Sequence, residues 1–140
     1  MLPEDEKYPY LMHTNRELEL MLEGKKPLAV FTHEKVAGWE KSDALASQDF
    51  DPYVLDGTFS EHKRTYACSL RGMPSTIDYW FYTKAGEEWR VEAYCQLLDL
   101  LYRGGWCSHL EWLQGTLLGY TEEENRYHLS RKYGDKKCEH

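Results

Sequence analysis

Residues 58–84, TFSEHKRTYACSLRGMPSTIDYWFYTK, decide the fold class. Two stretches of alternating polar and apolar side chains flank SLRGMPS, where Gly72 and Pro74 supply turn chemistry. Successive side chains of a strand point to opposite faces. In the first arm Tyr66, Cys68 and Leu70 therefore share one side, with Lys63, Thr65, Ser69 and Arg71 on the other. In the second arm Ile77, Tyr79 and Phe81 oppose Asp78, Trp80, Tyr82 and Lys84. The pattern predicts an antiparallel hairpin, with strands over 58–71 and 75–83, that turns one face into a core.

Downstream of the hairpin the hydrophobic period changes from strand-like to helical. AGEEWRVEAYCQLLDLLYRGG (85–105) predicts the longest helix, about 87–103, with acids in its first turn, Arg103 in its last and Gly104-Gly105 as terminator. Val91, Tyr94, Leu98 and Leu101 form its apolar face, which Trp89, Ala93, Leu97 and Leu100 widen. Ser108-His-Leu-Glu111 reads as a capping box that opens a helix running to about Leu118. Thr121-Glu-Glu-Glu124 reads as a second box, opening a last helix to about Lys132.

Upstream, Thr14 or Asn15 is placed to cap a helix over 14–23, and Gly24 to end it. LAVFT (28–32) follows Pro27 as a short buried strand. Residues 33–57 carry weaker signals: a short helix near Asp43–Phe50, broken by Asp49-Phe-Asp-Pro-Tyr53, and a turn at Asp56-Gly57. The expected organisation is an extended arm at 1–13, one α+β domain over 14–133 and a tail at 134–140. In that domain a small, mainly antiparallel sheet of about three strands packs on the long helix and a C-terminal helical corner.

Charge narrows the function classes. Seventeen basic and 24 acidic residues give a formal charge of −7, a field that repels phosphates unless the cations are segregated on one face. The same charge suits a basic protein partner. The four cysteines include no C-x-x-C pair, and the acidic start MLPEDEKYPY lacks the pattern of a signal peptide, which together suggest a cytoplasmic protein. No apolar run approaches the ~20 residues that cross a bilayer.

LLGYTEEENRYHLSRKYG (117–134) has the spacing of a DNA-reading helix-turn-helix. Its chemistry is wrong for one, because three glutamates open the helix that would enter the groove, and Asn125 and His128 stand where apolar residues are wanted. A packed corner of two helices explains it better.

Other chemistry is sparse. GGWCSH (104–109) places Cys107 ahead of a helix N-terminus with His109 close in sequence, a possible thiolate and base. With His33, His62 and distant carboxylates they form the pool for an enzyme assembled from scattered residues. Cys107 and His109 with Cys95 or Cys138 match no zinc spacing, and Ala37 spoils a metalloprotease signature after His33-Glu34. Phosphate-binding glycine loops are missing, so no metal and no cofactor is expected.

The more informative feature is the second face of the hairpin, where Trp80 and Tyr82 are framed by Lys63, Arg71 and Lys84. If open, these rings and cations form a binding patch. If the N-terminal arm or the 33–57 segment with Trp39 lies over them, they are core. The expected function is non-catalytic recognition of another macromolecule, a protein in the first place, of immunity, inhibitor or adaptor type. A scattered-residue enzyme is the alternative, and nucleic-acid binding through Lys63, Arg64, Arg71 and Trp80 is the third reading.

Overall fold

A computed structural model describes residues 12–13, 15–36, 49–70 and 72–133 of the chain. Among the described residues five helices and a three-stranded antiparallel sheet give an α+β fold with a small sheet. The chain divides into two compact units, one of residues 28–91 and one that joins 1–27 to 92–140.

The sheet belongs to the first unit. Strand β1 (Leu28–Val36), helix α2 (Asp51–Leu55), β2 (Phe59–Leu70) and β3 (Met73–Lys84) follow one another, and β3 lies between the other two in the order β1-β3-β2. The hairpin is tighter than the sequence implies: Leu70 pairs with Met73, so Pro74 is a strand residue opposite Ser69. Proline is normally kept out of central strands because it cannot donate to the ladder. Among the described residues the pairing with β1 ends at Ser75, so Pro74 pairs there with β2 alone.

Two further expectations change in this unit. β1 runs on to Val36, so His33 and Glu34 are strand residues rather than loop. The Asp49-Phe-Asp-Pro-Tyr53 run starts helix α2 instead of breaking one, with a 3-10 turn at 49–50 leading into it. Pro52 occupies the first helical turn, where its missing N–H has no partner to lose. The turn at Asp56-Gly57 forms as expected, with Gly57 at φ 83° and the Thr58 N–H donating to Asp56 Oδ1 at 2.8 Å. The part of the short-helix expectation at 43–48, Trp39 and the arm up to Leu11 lie outside the described residues.

Register assigns side chains to faces. Leu28, Val30, Phe81, Tyr79 and Tyr66 share one face, where Phe81 and Leu28 are fully buried and Tyr66 meets Tyr79 edge-on at 5.6 Å. The opposite face carries Ala29, Phe31, Tyr82, Trp80, Asp78, Lys63 and Phe59. One end of it is also core: Phe50, from the entry to α2, stacks on Tyr82 at 4.5 Å and contacts Phe31 and Phe59.

The second unit holds helix α1 (Glu17–Leu22), most of α3 (Trp89–Tyr102), α4 (Ser108–Leu118) and α5 (Glu122–Tyr133). α1 is shorter than expected: Arg16 is its N-cap without a side-chain capping hydrogen bond, while Asn15 adopts a left-handed φ of 67°. Its exit follows the sequence, with Gly24 at φ 77° and the Lys25 N–H returning to the Leu20 carbonyl. In α3, Val91, Tyr94, Cys95, Leu97 and Leu98 are buried, whereas Trp89, Leu100 and Leu101 are exposed, so the apolar face is narrower than the sequence suggests.

α4 and α5 make the predicted corner. Gly119 ends α4 at φ 103°, packed so closely on Lys26 and Pro27 that a Cβ would come within 2.6 Å of Pro27 Cδ. The Thr121–Glu124 capping box forms in both directions, at 2.7 and 3.1 Å. The box expected at Ser108 and Glu111 does not. Cys107 is the N-cap of α4 with no side-chain capping hydrogen bond, and the Glu111 carboxylate is engaged elsewhere.

Candidate functional sites on the sheet face and in the helical corner

The framed rings of the hairpin are divided by the fold. Tyr82 is only 1% exposed, held under Phe50, and its hydroxyl donates to Glu61 at 2.8 Å. It is unavailable to a ligand. Trp80, two residues earlier on the same face, is half-buried, and Lys63 lies over its ring with Nζ 4.9 Å from the centroid. Lys84 is half-buried at the Phe59 end of the strand pair, and Arg71 lies outside the described residues. The cations proposed for nucleic acid are also split, since Lys63 pairs with Trp80 and Arg64 with Tyr79 on the opposite face.

Around Trp80 the face is polar. Asp78, 2% exposed, accepts from the Thr65 hydroxyl at 2.6 Å and lies 3.7 Å from Lys63 Nζ. β1 contributes Phe31 opposite Trp80 and His33 opposite Asp78. Trp80 Nε1 and His33 Nε2 are both shielded from solvent and have no hydrogen-bond partner. A shielded donor left unpaired carries a desolvation penalty of about 1–3 kcal/mol. Neither His33 nor its unpaired nitrogen stood out in the sequence as part of this face, because β1 was expected to end at Thr32.

The helical corner holds a second polar centre that no motif revealed. Glu111, on α4, has a side chain 8% exposed. Its Oε1 accepts from Trp106 Nε1 at 3.1 Å, Lys132 Nζ at 2.8 Å and the Tyr133 hydroxyl at 3.0 Å. Its Oε2 lies 2.6 Å from His128 Nε2. Burial by itself would raise the carboxyl pKa, but the donors, Lys132 foremost, outweigh it and bring the pKa down to about 2. Asn125 is buried against Gly115, and its Nδ2 donates to Thr116 Oγ1 at 3.0 Å. The polar residues that argued against a DNA-reading motif are thus the packing between α4 and α5.

Beside this centre lies a buried lysine. Lys26, 2% exposed, donates to the Leu118 carbonyl at 2.7 Å and meets His13 Nδ1 at 2.9 Å, while the His13 ring stacks on Tyr120 at 3.7 Å. Burial lowers the Lys26 pKa to about 7, against a smaller opposing pull from Glu17. Burial and the Lys26 charge lower His13 to about 4.

Within neither unit are the residues of the scattered catalytic pool drawn together. His33 and His62 lie on opposite faces of the sheet, and His109 is exposed on α4. Cys107 is disulfide-bonded, so it offers no thiolate. Among the described residues no three His, Cys, Asp or Glu side chains are grouped to hold a metal ion. No protein-family model matches this chain, and comparison with curated proteins and with solved structures gave no match.

Proposed function

We propose that the chain is a non-catalytic binding protein that recognises another protein through the sheet face around Trp80. The observation that carries this reading is the indole itself: half-buried at mid-sheet between Phe31 and Lys63, with its N–H unpaired. A tryptophan with one exposed side and an unsatisfied donor is the kind of residue that dominates protein interfaces. The exposed residues Thr65 and Ala67 of β2 continue the same face away from Phe50. A formal charge of −7 favours a basic partner. Immunity, inhibitor and adaptor proteins share this description. Among the described residues no helix is long and apolar enough to cross a membrane.

A photo-crosslinking amino acid placed at Ala67 tests the reading, with the same residue at exposed Glu123 of α5 as control. A discrete protein adduct at position 67 and none at 123 supports it. Equal labelling at both positions, or none at 67, overturns it.

A further inference from the structure

We propose that the cavity between α4 and α5 binds a primary ammonium group carried on a short aliphatic chain. The cavity measures about 160 Å³ and lies wholly within the helical unit. It is a different site from the sheet face and does not rest on it.

The lining sets the chemistry. Two carboxylates, Glu111 and Glu124, border the cavity, together with the side-chain amides of Gln114 and Asn125. Neither lysine nor arginine lines it among the described residues. The ammonium that neutralises Glu111, Lys132, is not part of the lining and is spent on Oε1. Glu111 Oε2 faces His128 alone, and Glu124 uses Oε1 on the Thr121 N–H. Each carboxylate therefore keeps acceptor capacity.

Donors are only partly used inward, and each side-chain amide keeps a second N–H. Gln114 Nε2 donates to the Tyr94 hydroxyl at 2.9 Å, and Asn125 Nδ2 donates to Thr116. The Tyr120 hydroxyl already accepts the His13 N–H. The carboxylate oxygens of Glu111 and Glu124 favour a cationic ligand that donates N–H. Because no three metal-ligating side chains are grouped among the described residues, a coordinated metal ion is not the fitting cation. Apolar walls complete the match: Met12, Leu118 and Tyr120 also line the cavity, giving methylenes a surface.

The test is a titration of the intact chain with n-butylamine, n-butanol and butyrate at neutral pH, followed by amide NMR shifts. The expected result is saturable movement of the Gln114 and Asn125 side-chain amides with butylamine alone. Glu124→Gln keeps the capping box, since glutamine serves at that position, and is expected to weaken butylamine roughly tenfold. A lysine-containing peptide separates two sources of the same group: tighter binding than butylamine points to a lysine of a partner protein, equal binding to a free amine. Equal shifts with butanol, no saturable shift with butylamine, or unchanged affinity in Glu124→Gln overturns the proposal.

Discussion

Lys26 Nζ lies 2.9 Å from Nδ1 of His13, and the two side chains are buried together at the end of α4. Both are basic groups whose folded pKa is depressed, to about 7 for Lys26 and about 4 for His13. The unfolded chain therefore binds protons more readily than the folded one between about pH 7 and 10.5 at Lys26, and between about 4 and 6.5 at His13. Stability must rise with pH across both windows.

For Lys26 the gain between neutral and alkaline pH is on the order of 4 kcal/mol at most. Urea unfolding midpoints at pH 7 and 9.5 are expected to increase for the wild type. In Lys26→Met, where the titrating group is gone, that increase should vanish. A wild type with the same pH dependence as the variant would show that Lys26 keeps an ordinary pKa.

Glu111 acts in the opposite range. Its folded pKa, about 2 against an ordinary 4.5, means its contribution is present above about pH 4.5 and lost as pH falls through 2. Glu111→Gln is expected to cost up to about 3 kcal/mol at pH 7 and less at pH 2.5. Chemical denaturation at both values measures this, and an equal loss at each pH would contradict it.

Gly115 and Asn125 are a coupled pair. A Cβ at position 115 collides with the Asn125 amide oxygen, so Gly115→Ala should destabilise by about 1–3 kcal/mol despite alanine's better helix propensity. Combined with Asn125→Ala the two losses should not add. Additivity in the double-mutant cycle would mean the helices do not meet there.

The divided sheet face predicts unequal costs. Phe50→Ala removes the cover of Tyr82 and should cost about 3–5 kcal/mol, whereas Trp80→Ala should cost about 1–3 and leave the chain folded. Thermal or urea unfolding of the two variants ranks them. A larger loss at Trp80 would make that ring core.

These features were legible in the sequence to different depths. The hairpin was readable because alternation over 58–84 is a local signal, and the Thr121–Glu124 box because its partners are three residues apart. α2 is hidden in the sequence because Asp-Pro commonly breaks a helix, although proline in a first turn is compatible with one. Glu111 was read as a local cap, yet three of its donors come from α5, 17 to 22 residues downstream. The available signal was the spacing of Asn125, His128 and Lys132, which places polar side chains along one helix face. The cover of Tyr82 by Phe50 depends on contacts 32 positions apart, which periodicity does not encode.

The central claim, recognition of a protein through Trp80, is tested most directly by the dissociation constant of the protein crosslinked at position 67. Binding to folded Trp80→Ala is expected to be at least about thirtyfold weaker than to the wild type, the loss associated with an interface hot spot. An unchanged dissociation constant in a folded Trp80→Ala protein would contradict the account.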